Sequence, residues 1–457
     1  MSTRALAIAV GVMLALGLAV WLLAPARSGS AAGPAQGEGV EPLLAFTPSA
    51  VREIIVERPG AEPERIERAD AGWRLVMDSP RKDSSEDGSK RGAKRAGSWP
   101  MDGVQIRGLL SVLRALRPAA DAPGATMPTD ALTLRLVLDD GAARTLTMDP
   151  AAVGGRRLAR ADAGPVVYLD QPIYEALTSP GPLGWRDTRV FINIGAGTAR
   201  VRIEHADAPI ALARVRDRWF LRQPVRAPAD PAAMDSLLDA LANLRVRRWL
   251  DEPVDEDAAG APGALRITVQ RDQRTYGAQG GVQNKVIEKS FAALGAVDLA
   301  GATRFARVGD VGAPAIVDAG ALAKLTPRPE SLISKTALDA PSSRIAAIEI
   351  TTPAQGGATQ TLRRALDGWR VGDSSQIADS LAKEVLTLLT SRRADEALLS
   401  APADATPIAT VTLLGFDDGP IGAVAVARSP AGVVVTTGAV TRVYKGVDLP
   451  RALAAPG

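Results

Sequence analysis

Hydrophobic and polar positions alternate in short runs along most of the chain, but its first segment is one uninterrupted apolar run. Residues 5–24 carry no charge and are mostly aliphatic. As a helix, a run of this length is about 30 Å long, which matches the hydrocarbon core of a membrane. Arg4 and Arg27 flank the run, and Trp21 stands where an interfacial aromatic residue is expected. The pattern predicts a single transmembrane anchor over residues 1–27.

A cleaved signal peptide is the alternative interpretation of this segment, because Ala24-Pro25-Ala26 resembles an Ala-x-Ala cleavage site. The apolar run is longer than the hydrophobic region of a typical signal peptide, which favours the anchor. The Gly/Pro/Ser-rich residues 28–40 predict a flexible linker. We therefore expect a single-pass protein of the bacterial inner membrane, with its body in the periplasm and its N-terminal helix in contact with membrane lipid.

Beyond the linker, one arrangement of elements recurs three times. An alternating strand at 52–57, 200–205 and 346–351 precedes a second strand marked by a tryptophan, and an aspartate suited to capping a helix follows. The first copy carries a charged insertion at 81–95, which predicts a solvated loop. The recurring tryptophans are Trp73, Trp219 and Trp369, and the aspartates are Asp102, Asp230 and Asp379.

Each aspartate lies near the start of a stretch with apolar residues at helical spacing, for example Ile377, Leu381 and Val385 in the third copy. Further alternating strands and a short closing helix or turn follow in every copy. The order strand, strand, helix, strands predicts an α+β fold of tandem antiparallel-sheet-plus-helix repeat units. The predicted units are unit one at 41–180, unit two at 185–330 and unit three at 335–455.

The six recurring side chains are predicted to be structural. A tryptophan at a fixed place in a strand is expected to be a buried core anchor, since a large aromatic side chain buries 150–250 Å². The aspartates are expected to satisfy the free N–H groups of a helix N-terminus. A carbohydrate-binding platform built from the tryptophans is the alternative to the core role.

Composition narrows the possible chemistry. The chain has no cysteine and one histidine, which removes thiolate metal sites, cysteine nucleophiles and most metal or acid/base constellations. The 54 basic residues nearly balance the 51 acidic ones, and only 4% of residues are aromatic, which argues against a nucleic-acid-binding surface. The sequence predicts no catalytic residue, no metal site and no cofactor.

One short motif supports a competing enzymatic hypothesis. Ser380 and Lys383 form a Ser-x-x-Lys sequence at a helix start, as in penicillin-binding enzymes, where the lysine activates a serine nucleophile. The companion motifs of those enzymes are missing, because Lys335-Thr336 continues with Ala337 instead of glycine. A cell-envelope hydrolase or carbohydrate-binding protein is therefore kept as the alternative to a non-enzymatic protein.

The anchor and the repeated strand, tryptophan, aspartate and helix resemble the bacterial family called domain of unknown function 4340. The matching residues include Gly72-Trp73, Asp102, Trp185-Arg186-Asp187, Trp219 with Asp230, and Trp369 with Asp379. Members are single-pass proteins that face the periplasm and are commonly encoded beside an ABC transporter and a gliding-motility-type auxiliary subunit. The resemblance implies an accessory or scaffold role, with the permease and the auxiliary periplasmic subunit as partners through protein–protein interaction.

Overall fold

Three antiparallel sheets follow one another along the part of the chain that the computed structural model describes. The predicted anchor at 1–27, the linker at 28–40 and the insertion at 81–95 lie outside the described residues. Within the described part, no helix is both long and apolar enough to cross a membrane. The described residues are 41–69, 72–77, 97–170, 172–179, 181–205, 209–250, 265–276, 282–296, 301–309, 312–353 and 357–454.

Unit one is a nine-stranded sheet in the order β4-β3-β2-β1-β6-β7-β8-β9-β5. Its helices are α1 (Gly103–Ala115) and α2 (Pro172–Thr178), followed by a 3-10 turn at Pro182–Trp185. Its strands are β1 (Val51–Glu57), β2 (Glu64–Ala69), β3 (Gly72–Met77), β4 (Gly97–Pro100), β5 (Ala120–Asp121), β6 (Leu132–Leu138), β7 (Ala143–Met148), β8 (Arg156–Ala161) and β9 (Val166–Asp170).

Unit two repeats this order as β13-β12-β11-β10-β15-β16-β17-β18-β14. Its helices are α3 (Pro231–Asn243) and α4 (Ala319–Ala323), followed by a 3-10 turn at Pro329–Leu332. Its strands are β10 (Thr198–Glu204), β11 (Ile210–Val215), β12 (Arg218–Gln223), β13 (Ala227–Pro228), β14 (Val246–Trp249), β15 (Leu265–Tyr276), β16 (Val282–Ala296), β17 (Thr303–Val308) and β18 (Ala313–Asp318).

Unit three has eight strands in the order β21-β20-β19-β23-β24-β25-β26-β22. Its helix α5 (Asp379–Leu386) continues into a π-helical turn at Thr387–Ser391, and a 3-10 turn at Arg451–Leu453 follows its last strand. The strands are β19 (Ala347–Thr352), β20 (Ala358–Ala365), β21 (Gly368–Val371), β22 (Glu396–Leu398), β23 (Thr406–Leu414), β24 (Pro420–Ser429), β25 (Gly432–Thr437) and β26 (Val440–Tyr444).

The predicted repeat of antiparallel sheets with a helix is therefore confirmed in the described residues, although strands predominate over helices. Alternation explains the strands: in β6, Leu132, Leu134 and Leu136 are buried on one face. Each large helix packs an apolar face against its sheet, and in α1 this face includes Ile106, Leu110 and Leu113.

The buried side chains form two clusters with different reach. One cluster runs continuously through units one and two and also includes Ala397 and Val440 of unit three. The second cluster belongs to unit three and is built around residues such as Ile348, Val385 and Tyr444. Units one and two thus share a core, and unit three adds its own core to one end of it.

The start of the third helix differs from the prediction. Ile377 was expected on the apolar face of this helix, but it precedes the helix and its side chain is 74% exposed. It pairs with Arg370 of β21 in an isolated antiparallel bridge. The bridge extends the backbone at this residue, so the helical spacing that links Ile377 to Leu381 does not place it on the helix.

Candidate functional site

The most regular feature of the molecule lies where each large helix begins. We define the pre-helix edge of each unit as the recurring aspartate and the two residues before it. These are residues 100–102, 228–230 and 377–379. In every unit, the middle residue of this edge donates its N–H to the carbonyl of the recurring tryptophan. The bonds are Met101 to Trp73 at 2.9 Å, Ala229 to Trp219 at 2.9 Å and Ala378 to Trp369 at 2.6 Å.

In units one and two, an extended segment that begins at the last residue of the closing 3-10 turn and leads into the next unit covers the pre-helix edge. We call these residues, 185–187 and 332–334, the covering segments. The Asp102 N–H donates to the Trp185 carbonyl at 2.8 Å, and the Asp187 N–H donates to the Pro100 carbonyl at 2.8 Å. Each unit is thereby attached to the next by backbone pairing.

The second covering segment makes the same two bonds. The Asp230 N–H donates to the Leu332 carbonyl at 2.8 Å, and the Ser334 N–H donates to the Pro228 carbonyl at 2.9 Å. Ile333 is the bridge partner of Ala229, as Arg186 is of Met101. The same geometry occurs at both joints, so it is a property of the repeating unit.

The aspartates of the first two edges combine a cap with an ion pair. The Asp102 carboxylate accepts from the Val104 N–H at 2.8 Å, and the Asp230 carboxylate accepts from the Ala233 N–H at 3.2 Å. These bonds satisfy N–H groups that a helix N-terminus leaves free. The two residues are the helix caps that their position in the repeat predicts.

An arginine from the next unit approaches each of these carboxylates. Arg189 Nη2 lies 3.8 Å from Asp102 Oδ1, and Arg393 Nη2 lies 2.6 Å from Asp230 Oδ2. Arg189 also binds the buried Asp187 through Nε and Nη2, at 2.9 and 2.8 Å. This hydrogen bonding to Asp187 raises the pKa of Arg189, against the opposing effect of burial.

Unit three departs from this arrangement. Asp379 is the first residue of its helix, and Ala378 occupies the cap position. The Asp379 carboxylate turns back and accepts the Trp369 N–H at 2.7 Å. Gly368 permits this approach, since a Cβ at this residue would lie 2.8 Å from the carboxylate oxygens. Asp379 thus supports the structure, but not as the helix cap that was predicted.

The three tryptophans occupy equivalent places that are only half-buried. Each lies opposite an arginine of the neighbouring strand, in the pairs Arg68–Trp73, Arg214–Trp219 and Arg364–Trp369. Trp73 and Trp219 pack against the core shared by units one and two, and Trp369 packs against that of unit three. The three indoles contact the cores as predicted but are only partly buried, because their strands lie at or next to a sheet edge.

The Ser-x-x-Lys motif lies on an open groove. Ser380 and Lys383 are both exposed and line a groove of about 540 Å3 between α5 and residues 447–451. Arg451 donates to Glu384 across this groove at 2.6 and 2.9 Å, which lowers the pKa of Glu384. No hydrogen bond joins Ser380 to Lys383 within the described residues. The single histidine, His205, is exposed at the end of β10 in another unit.

Sequence reasoning did not identify the arginines that complete the joints. A signal existed for unit one, since Asp187 and Arg189 belong to the Trp185-Arg186-Asp187 phrase and its continuation. Arg393 is separated from Asp230 by 163 residues, so no local pattern could connect them.

The comparison with known families bears on these same joints. The family described as "Domain of unknown function (DUF4340)" matches residues 94–262. The predicted family resemblance is confirmed over this range. The matched range contains the first two pre-helix edges and the first covering segment. Comparisons with curated proteins and with solved structures give no match.

Proposed function

We propose that this protein is a non-enzymatic scaffold, held at the bacterial inner membrane by its N-terminal helix, with its body in the periplasm. Its role in this proposal is accessory to an ABC-transporter-associated complex. The apolar residues 5–24 support the anchor. The resemblance to the domain-of-unknown-function 4340 family supports the transporter association.

The observation that carries the scaffold role is the repeated joint. Its charged groups are bound to each other: the buried Asp187 to Arg189, and the buried Asp230 to Arg393. Groups held in this way position one unit on the next, and a rigid series of units offers partner proteins a fixed spacing of surfaces. The function proposed here needs that spacing and needs no reacting group.

A membrane experiment tests the location. Protease added to spheroplasts should digest the body while the anchor stays in the membrane fraction. A soluble periplasmic product that begins near Arg27 would identify the apolar run as a signal peptide and remove the anchor from the proposal.

A genetic experiment tests the scaffold role against the alternative of a cell-envelope hydrolase or carbohydrate-binding protein. Replacement of Ser380, Lys383 or His205 by alanine should leave the cellular phenotype and the recovery of the permease in pull-downs unchanged. Deletion of residues 5–24 should abolish both. Ser391→Ala, on the exposed end of the same helical segment, is the matched control for Ser380→Ala. Loss of phenotype in the Ser380→Ala protein alone, with membrane attachment intact, would establish the enzymatic alternative.

A further inference from the structure

The pre-helix edge of unit three is uncovered in the described residues. The Asp379 N–H and the Ile377 carbonyl correspond to the groups that pair with covering segments in units one and two. Neither makes a hydrogen bond to any described residue, although the description includes the chain as far as residue 454. Exposed unpaired strand groups of this kind are a template for pairing with another segment.

The side chain on this edge fits the same interpretation. Ile377 is 74% exposed, whereas Pro100 and Pro228, the first residues of the other two edges, are partly buried. A β-branched apolar residue beside unpaired backbone groups is the combination that natural sheet edges normally avoid. The edge of unit three therefore has both the backbone groups and the apolar contact that an added strand uses.

The carboxylate of this edge also differs from those of the other two edges in its charged neighbours. Asp102 and Asp230 are each approached by an arginine of the following unit. Asp379 is exposed, and within the described residues no lysine or arginine lies at ion-pair distance from it. In the part of the chain that the structure describes, the third edge therefore lacks what the first two have: a covering segment and a nearby arginine.

The closing turn of unit three supplies only part of a cover. The turns at Pro182–Trp185, Pro329–Leu332 and Arg451–Leu453 occupy corresponding places, and Trp185, Leu332 and Leu453 are all buried. Leu453 fills the apolar position, but its carbonyl does not accept from Asp379 as those of Trp185 and Leu332 do from Asp102 and Asp230. Residues of the same unit thus fill the apolar part of the third joint, and no described residue occupies its strand position.

We propose that the pre-helix edge of unit three, residues 377–379, binds an extended, arginine-bearing segment of a partner protein by β-strand addition. The partner's backbone pairs with the Asp379 N–H and the Ile377 carbonyl, and its arginine contacts the Asp379 carboxylate. The first covering segment and Arg189 show the chemistry that fits. The proposal deepens the scaffold function, because it places the partner's attachment at one end of the repeat.

A peptide that copies residues 182–190 of this chain is a suitable probe, since it carries both the covering segment and Arg189. Labelled with a fluorophore and titrated with the full-length protein in detergent, it should bind saturably. Asp379→Asn keeps an acceptor for the Trp369 N–H and should weaken binding about two- to fivefold, the range of an exposed charge pair. Ile377→Lys, at an exposed position, should weaken it further by charging the edge.

Matched controls isolate each contact. Asp404→Asn removes an exposed carboxylate elsewhere in unit three and should leave binding unchanged. A peptide N-methylated at the nitrogen of Asp187 loses the donor for the Ile377 carbonyl and should bind more weakly than the parent peptide. Equal binding to the wild type, Asp379→Asn and Ile377→Lys proteins, or no saturable binding, would overturn the proposal.

Two further outcomes would assign the edge to a different occupant and would also overturn it. The first is binding that occurs only after residues 455–457 are deleted, which would show that the chain covers its own edge. The second is self-association of the protein, measured by sedimentation, that Ile377→Lys abolishes, which would identify a second copy. The peptide assay requires no transporter, so its failure is distinguishable from failure of the proposed membrane role.

Discussion

Asp230 joins two functions in one side chain, and substitution can separate them. Its Oδ1 accepts the Ala233 N–H at 3.2 Å as the cap of α3, and its Oδ2 accepts Arg393 Nη2 at 2.6 Å from unit three. Asp230→Asn keeps an oxygen for the cap and removes the charge. Arg393→Gln removes the charge from the other side, and Asp230→Ala removes cap and ion pair together.

The expected magnitudes follow from exposure. The Asp230 side chain is 6% exposed but that of Arg393 is 59% exposed, so solvent screens the pair and its contribution is about 1 kcal/mol at most. A helix cap contributes about 1 kcal/mol more. We therefore expect a loss of about 1 kcal/mol for Arg393→Gln and for Asp230→Asn, and about 2 kcal/mol for Asp230→Ala.

Hydrogen exchange of the full-length protein in detergent measures these losses locally. Amides of α3 should exchange about fivefold faster in Arg393→Gln and about thirtyfold faster in Asp230→Ala, the factors that correspond to 1 and 2 kcal/mol. Glu204→Gln is the control, because it breaks an ion pair with Arg202 in the same sheet whose side chains are 58% (Arg202) and 39% (Glu204) exposed, and it should change exchange little. Unchanged exchange in Arg393→Gln, or equal effects of Asp230→Asn and Asp230→Ala, would refute this division of roles.

Three other predictions test burial and backbone geometry. Trp99 is 1% exposed and donates to the Leu250 carbonyl of unit two, so Trp99→Ala should lower the free energy of unfolding in denaturant by about 3–5 kcal/mol. Trp73→Ala should lower it clearly less, because Trp73 is half-buried. Gly432→Ala should destabilise severely, since φ is +138° and a Cβ would collide with the Tyr444 carbonyl, whereas Gly438→Ala, with open space around it, should cost only about 1 kcal/mol in the same assay. Burial raises the pKa of Tyr444 to about 12. Its neutral side chain should therefore stabilise the fold fully below pH 10, and this stabilisation should be lost as the pH rises through 12. An ultraviolet titration should show a tyrosine that ionises near pH 12, and Tyr444→Phe should remove that transition.

Most of the sheet architecture was predictable because burial on one face imposes alternation. The first strand of each unit was predicted to within two residues at either end. The start of the third helix was not predictable from spacing. Ile377 fits the apolar period of α5, yet backbone pairing with β21 fixes it in an extended conformation before the helix.

The joints were less predictable than the sheets for a physical reason. A capping aspartate has a local signature, since it must precede the helix whose N–H groups it binds. The arginine that pairs with this aspartate has no local sequence signature. Arg189 comes two residues after a covering segment, whereas Arg393 follows the large helix of the next unit. Charge pairs can be supplied from any position that folding brings near, so their partners follow from the tertiary structure alone.

The two parts of the joint therefore perform different tasks. Backbone pairing between edge and covering segment is the same at both joints and does not depend on the side chains at 186 and 333, which are arginine and isoleucine. It fixes how far one unit lies from the next. The arginines come from different places in the two joints, and an ion pair of this kind discriminates between partners more than it adds stability. The spacing of the units is therefore set by the backbone, and the ion pairs contribute to the choice of which surfaces meet.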